Sequence, residues 1–179
     1  MILALYERRS GVETSGGNCA VYDVERNAAC FGAASVPRHA LVWELAPEAA
    51  DGALLAAPVE LDPRTEWLMR CDRVDFPPGG IAYRHTHPGP GIRCLLHGSL
   101  QIESGRERQV YGPFEPWFEA GPEPVLATAG DTEATAFVRV LLLPREWAGK
   151  RTIRYVDPAD EAKPKIQRAT IFFDEPIAL

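Results

Sequence analysis

Two histidines separated by a single residue, His85 and His87, are the part of the sequence best suited to chemistry. Side chains two residues apart on a β-strand point to the same face, so the two imidazoles converge if this segment is a strand. Neutral imidazole nitrogens bind divalent Zn, Fe, Ni, Cu or Mn, and a histidine can also move a proton near neutral pH. The pair therefore predicts half of a metal site or an acid–base pair, with exposed or merely packed histidines as the alternative.

Further candidates follow from the alternation of side chains along neighbouring strands. Tyr83 shares the predicted face of the histidine pair and is a candidate catalytic residue beside them, or else a core aromatic. If Gly91 starts the inward face of the next strand, Arg93 and His97 lie on that face and are candidate substrate-binding residues. Arg93 would place a permanent cation beside the histidines, which favours an anionic ligand. The alternative for Arg93 is an exposed strand arginine, and the alternative for His97 is a position at the rim of the barrel.

Glycines frame the histidine pair, and the segment from Gly80 to Gly98 reads GIAYRHTHPGPGIRCLLHG. This segment resembles the first motif of the cupin superfamily, and the segment from Gly112 to Pro124 resembles a degenerate second motif. The resemblance covers about residues 70 to 143. It implies an all-β fold, the cupin-type double-stranded β-helix or jelly-roll barrel, with N- and C-terminal extensions.

The sequence departs from the metal-binding pattern of that family. Metal-binding members usually supply a glutamate after the histidine pair and a third histidine from the second motif, and these positions are Gly91 and Pro124 here. No histidine follows His97, so the usual set of three histidines and one glutamate is excluded. The remaining alternatives are a weakly held divalent metal on His85 and His87, completed by water or by a loop carboxylate, Glu119 or Glu123 first, and a pocket that works without metal.

Short strand-like runs separated by Gly, Pro, Asp and Ser fill most of the chain, as expected of a sandwich or barrel. We predict an N-terminal arm over residues 1–40 with a helix-like stretch near 24–34, a barrel over 41–157, and a linker and strand over 158–179. The four side chains Ile81, Tyr83, His85 and His87 are expected on one face of a strand. Terminal strands in folds of this kind often pair with a neighbouring subunit, which predicts a homodimer.

Composition limits the classes of partner. The chain has 179 residues, 46% hydrophobic and 25% charged, with a net charge of −6, so bulk charge gives no basis for nucleic-acid binding. No run approaches the roughly 18 apolar residues that span a bilayer. Four scattered cysteines and the lack of a signal-peptide pattern predict reduced thiols and a cytoplasmic location.

Two functions remain open from the sequence. The first is an enzyme of isomerase, lyase, cyclase or, with a metal, dioxygenase type that acts on a small anionic or enolisable substrate. The second is a non-catalytic ligand-binding or sensory barrel with a vestigial metal site. In both cases Arg93→Met is expected to weaken carboxylate binding roughly 10- to 150-fold and to leave thermal stability nearly unchanged.

Overall fold

Strands dominate the architecture. The computed structural model describes residues 1–179 and contains fifteen β-strands in three five-stranded antiparallel sheets. Two short 3₁₀ turns, Arg145–Trp147 and Pro158–Ala162, lie among them. None of the helical segments has the length and apolar character needed to cross a membrane. The prediction of an all-β fold is confirmed.

The first sheet, which we call the N-terminal sheet, is built mainly from residues predicted to form an arm. Its spatial order is β3-β2-β4-β1-β5, with β1 (Ile2–Arg8), β2 (Val12–Asp23), β3 (Ala28–Val36), β4 (Ala40–Ala46) and β5 (Leu55–Pro58). The predicted helix-like stretch at 24–34 is wrong, because the chain turns at Asn27, where φ is 49°, and β3 pairs back on β2. Alanines favour a helix locally, but cross-strand pairing overrides that preference.

The predicted boundary between arm and barrel, at residues 40 and 41, falls inside this sheet. Strand β4 begins at Ala40 and pairs with β1 and β2, and β5 pairs with β1. These pairings join segments far apart in the sequence, so no local pattern marks them. Residues 2–58 therefore form one sheet, and the barrel strands begin at Trp67.

Two sheets form the barrel. The central sheet has the order β11-β8-β13-β6-β15, with β6 (Trp67–Phe76), β8 (Gly91–His97), β11 (Pro116–Glu119), β13 (Thr135–Pro144) and β15 (Arg168–Ile177). The outer sheet has the order β10-β9-β12-β7-β14, with β7 (Ile81–Thr86), β9 (Leu100–Ser104), β10 (Glu107–Tyr111), β12 (Val125–Ala129) and β14 (Arg154–Tyr155). The two sheets enclose a cavity, which is the jelly-roll arrangement expected of the barrel.

The central sheet is covered on both faces, and the alternation of its side chains divides them. One face joins the N-terminal sheet in a single apolar cluster to which it contributes Met69, Cys71, Ile92, Cys94, Val138, Val140 and Leu142. Buried Trp43 of β4 crosses this interface and donates its indole N–H to the carbonyl of Ile92 at 3.1 Å. The other face points into the barrel and carries Arg70, Asp72, Val74, Phe76, Arg93, Phe137 and Arg139. A sheet covered on both sides explains why β13 is buried along nearly its whole length.

The C-terminal strand closes one edge of the central sheet within the same chain. Strand β15 pairs with β6 over most of its length, and buried Arg70 of β6 binds both carboxylate oxygens of Asp174 at 2.6 and 2.8 Å. One edge of this strand is therefore already paired, so a partner subunit could use only the other. The homodimer stays a prediction.

Candidate functional site

A cavity of about 460 Å³ lies between the central and outer sheets. Its polar end is lined by Asp72, His85, His87, Arg93, Glu119 and Arg139, and its apolar part by Val74, Phe76, Ile102, Trp117, Val125 and Phe137. Residues of the segment between β13 and β15 line the remainder, among them Lys150, Arg151 and Lys165. The cavity has the size and the mixed lining of a small-molecule site.

The two histidines project from the end of β7 into the polar end of this cavity. Each is only 4% exposed, and their Nε2 atoms lie 3.2 Å apart. Nδ1 of His85 lies 2.7 Å from the carbonyl oxygen of Tyr83. Because a carbonyl only accepts, this Nδ1 carries the proton and donates it, which leaves Nε2 of neutral His85 as a lone pair facing His87.

Tyr83 does not share the face of the histidines, contrary to the prediction. Ala82 pairs with Ala127 and His85 with Val125, so three steps on β7 span two on β12. This β-bulge reverses the alternation between Ala82, which faces the cavity, and His85. The Tyr83 ring instead lies against the ammonium of Lys163, 4.6 Å from ring centroid to Nζ.

Arg93 of β8 lies in the cavity and is 1% exposed. Its Nη1 donates to the carbonyl of Gly91 at 2.6 Å, and its Nη2 lies 2.7 Å from Oε2 of Glu119. That contact pairs the two charges, although the N–H groups of Nη2 are not aligned on the carboxylate as in a linear hydrogen bond. The second oxygen of Glu119 accepts the indole N–H of Trp117 at 2.8 Å.

Glu119 therefore reaches the site, but it is bound to Arg93. Its Oε2 lies 3.8 Å from Nε2 of His87, beyond hydrogen-bond distance. Glu123, the second candidate carboxylate, is exposed on the loop before β12 and does not line this cavity.

His97 lies outside the site as well. A second bulge, where Leu95 pairs with Phe137 and His97 with Ala136, turns the end of β8 outward. The exposed His97 ring contacts the carbonyl of Ala134 at 3.0 Å and the guanidinium of Arg73 at 3.4 Å. Its predicted role in substrate binding is not supported by this position.

Two charged residues of the central sheet complete the polar end and were not anticipated. Arg139 of β13 is 5% exposed and Asp72 of β6 is 1% exposed. Nε and Nη2 of the guanidinium donate to the two oxygens of Asp72 at 2.6 and 3.1 Å, and Nη1 lies 3.4 Å from Nε2 of His87. The signal in the sequence is an arginine within the apolar run of β13, where a buried charge requires a partner.

Burial sets the protonation of these groups. It lowers the pKa of His85, and together with the charges of Arg139 and Arg93 it lowers the pKa of His87 well below its usual value. Both imidazoles are therefore neutral at pH 7. Burial also lowers the pKa of Arg93 to about 10, although Glu119 opposes the shift, so this guanidinium stays charged at neutral pH.

Comparison with protein-family models and with curated sequences finds no match. Among solved structures, the chain is similar to the polyketide cyclase RemF from Streptomyces resistomycificus at 19% identity, over 57% of this chain and 72% of that one, with a TM-score of 0.41. It is also similar to a Cupin 2 conserved barrel domain protein from Salinispora arenicola CNS-205 at 12% identity, over 50% and 83%, with a TM-score of 0.39. An oxalate oxidase with the substrate analogue glycolate matches at 17% identity, over 54% and 52%, with a TM-score of 0.40.

Two facing antiparallel sheets enclose the cavity, and the histidine pair points into it from β7. The chain has a cupin fold. The predicted jelly-roll barrel is thereby confirmed, with a five-stranded sheet in place of the predicted N-terminal arm.

The polar end of this cupin barrel does not fit a divalent metal. Two imidazoles are available, but the nearest carboxylates, Glu119 and Asp72, are each bound to an arginine. No group of three or more His, Cys, Asp or Glu side chains is arranged to hold an ion. The guanidinium of Arg139 reaches one of the two nitrogens that a metal would use. The predicted set of His85, His87 and Glu119 is therefore not assembled as a metal site.

Proposed function

We propose that this cupin binds a small anionic or enolisable molecule in the barrel and moves a proton on it with His85 and His87, without a resident metal. The observation that carries the proposal is the position of Arg93. A buried guanidinium, paired with Glu119 on one side, lies in the same cavity as two neutral imidazoles. A guanidinium has five N–H donors, and those that are not directed at Glu119 can donate charge-assisted hydrogen bonds to a ligand oxygen.

The charge of the lining supports an anionic ligand. Six cationic side chains line the cavity, Arg70, Arg93, Arg139, Lys150, Arg151 and Lys165, with two carboxylates, Asp72 and Glu119. Two further carboxylates, Asp174 and Glu161, pair with Arg70 and Arg151. The six cations against these four carboxylates leave an excess of two positive charges around the cavity, although the chain carries a net charge of −6. The apolar part, with Trp117 and Phe137, suits the hydrocarbon or aromatic portion of a ligand.

The chemistry that these residues support is proton transfer. Nε2 of His85 carries a lone pair in the neutral ring and can accept a proton from a carbon or oxygen of the ligand. Arg93 and Arg139 then stabilise the enolate or carboxylate that results, because both cations are fixed in a water-poor pocket. Isomerisation, elimination and cyclisation need no more than this, whereas dioxygen chemistry needs a metal that the donor set does not favour.

Calorimetric titration of small carboxylates into wild type and Arg93→Lys tests the binding part of the proposal. The lysine keeps the charge and loses the planar fork, so we expect affinity to fall by roughly 10- to 150-fold. Equal affinity for the two proteins would refute the role of Arg93.

Hydrogen–deuterium exchange of the ligand separates an enzyme from a binding protein. In D₂O, the α-protons of a bound 2-oxo or 3-oxo acid should exchange faster with wild type than with His85→Gln. The control is the same pair of proteins with a carboxylate that cannot enolise. If binding is retained and exchange is no faster than without protein, the chain is the non-catalytic ligand-binding barrel.

The cellular setting of the proposal is the cytoplasm, since all four cysteines are free thiols. The proposed partner is a small molecule, without nucleic acid or membrane. Self-association into a homodimer is tested by sedimentation and does not affect the site, which one chain completes.

A further inference from the structure

We propose that the guanidinium of Arg139 takes the position and the charge of a metal ion, and so keeps divalent metals out of this cupin barrel. This inference deepens the proposed metal-free function and rests on it. It assigns Arg139 a specificity role, as the residue that decides between metal-dependent and metal-independent use of the histidine pair.

The two histidines are oriented as a pair of cation ligands. A Zn–N distance of 2.0–2.1 Å and an angle between a right angle and the tetrahedral one place two ligand nitrogens roughly 2.9–3.4 Å apart. The observed separation of the Nε2 atoms of His85 and His87 is 3.2 Å. The hydrogen bond from Nδ1 of His85 to the carbonyl of Tyr83 fixes the ring as it does in metal-bound histidines.

Arg139 supplies the cation that this orientation accepts. A guanidinium can only donate, so its contact with Nε2 of His87 at 3.4 Å requires a lone pair on that nitrogen. The two imidazoles then do not hydrogen-bond each other: their lone pairs face across 3.2 Å, and the guanidinium meets the one on His87. Asp72 holds the same guanidinium through two hydrogen bonds of 2.6 and 3.1 Å, which leaves it no freedom to swing away. Arg93, close to Glu119, adds a second positive charge to the same end of the cavity. Glu119 and Asp72 balance these two cations, so the polar end offers a divalent ion no excess of negative charge.

The arginine also hides the ligand that would complete a metal site. Asp72 is 1% exposed, and both of its carboxylate oxygens accept hydrogen bonds from Arg139. The three side chains are not arranged to hold an ion in this structure. Once that guanidinium is gone, Asp72 would have to move toward His85 and His87 to give two imidazoles and one carboxylate, the smallest donor set of stable protein metal sites. Loss of Arg139 therefore removes a repelling charge and frees a ligand at the same time.

The test is calorimetric titration of ZnCl₂ into EDTA-treated protein. Wild type and the charge-retaining control Arg139→Lys should show no site that depends on His85. Arg139→Gln should bind one zinc at least 100-fold more tightly than wild type, and Arg139→Gln with His85→Ala should lose that gain. Tight zinc binding by wild type that disappears in His85→Ala would overturn the inference, and so would the absence of a gain in Arg139→Gln.

If Arg139→Gln does not fold, a measurement on the wild type can still overturn the inference. The ring nitrogens of His85 and His87, followed by ¹⁵N NMR, should not shift on addition of one equivalent of zinc; a shift of both would contradict the inference. The carboxylate titration of Arg93→Lys reports separately on the proposed function. If Arg93→Lys binds carboxylates as tightly as wild type and wild type binds no zinc, only the anion-binding role of Arg93 is refuted. If the loss of affinity in Arg93→Lys is found but wild type binds zinc tightly through His85, only the role of Arg139 is refuted.

Discussion

Replacement of Arg93 by methionine tests how the site is held together as well as what it binds. Arg93 is 1% exposed and its partner Glu119 has a side chain that is 10% exposed, with 2.7 Å between Nη2 and Oε2. Removal of the cation leaves a buried carboxylate without its charge partner, and breaking a buried ion pair in this way typically costs about 3–5 kcal/mol. For a chain of this size, such a loss lowers Tm by roughly 6–20 °C.

This expectation replaces the one drawn from the sequence, in which Arg93→Met left stability nearly unchanged. The double variant Arg93→Met with Glu119→Gln provides the control. The glutamine removes the unpaired charge and keeps an oxygen for the indole N–H of Trp117, so we expect it to recover at least about half of the lost stability.

Urea denaturation of the wild type, the two single variants and the double variant gives the coupling free energy. A loss below about 1 kcal/mol in Arg93→Met would refute the reasoning, because a pair worth so little is not a buried one. No recovery in the double variant would refute it as well.

Three further outcomes follow from the described contacts. The lowered pKa of His87 means that the unfolded chain binds more protons than the folded one below pH 6.5, so stability should fall on acidification from pH 6.5 to 5.5, by up to about 1 kcal/mol for this histidine. Urea midpoints should show a weaker pH dependence in His87→Phe, and an unchanged dependence would argue against the burial. Trp43→Ala should lower the free energy of unfolding by about 3–5 kcal/mol in the same denaturation assay, because the ring joins the N-terminal and central sheets. Trp43→Phe is the control, and a loss under about 1 kcal/mol in Trp43→Ala would contradict that packing. Asp174→Ala should loosen β15, because it leaves buried Arg70 without its carboxylate. Limited proteolysis should then cut residues 158–177 faster than in wild type, and an equal rate would count against the Arg70–Asp174 pair as the contact that holds β15.

Local alternation predicted the parts of the site that lie on regular strands. His85 and His87 share a face because they lie two positions apart on the chain, and Arg93 faces inward because β8 is regular from Gly91 to Leu95. The alternation failed at Tyr83 and at His97. Each lies next to a β-bulge, which adds one residue to a strand and reverses the faces beyond it. A bulge depends on pairing with a distant strand, so the sequence of one strand does not reveal it.

Long-range pairing also hid the rest of the site and the N-terminal sheet. Asp72 and Arg139 are 67 residues apart and meet because β6 and β13 are neighbours in register. The sequence displayed each as a charge inside an apolar strand, without showing that the two bind each other. Likewise, β1 lies between β4 and β5, and these two strands begin only at Ala40 and Leu55. Residues 1–40 taken alone therefore lack the neighbours of β1 and resembled an arm.

Titration of metal-free protein with a small carboxylate, observed by ¹⁵N NMR of the histidine rings, tests the central claim most directly. After EDTA treatment, a carboxylate such as a 2-oxo acid should bind with one-to-one stoichiometry and shift the ring nitrogens of His85 and His87, while the exposed ring of His97 stays unchanged. Addition of zinc should leave the affinity as it was. Binding that appears only after metal is added, or that leaves both buried rings unshifted, would contradict a metal-free anion site in this barrel.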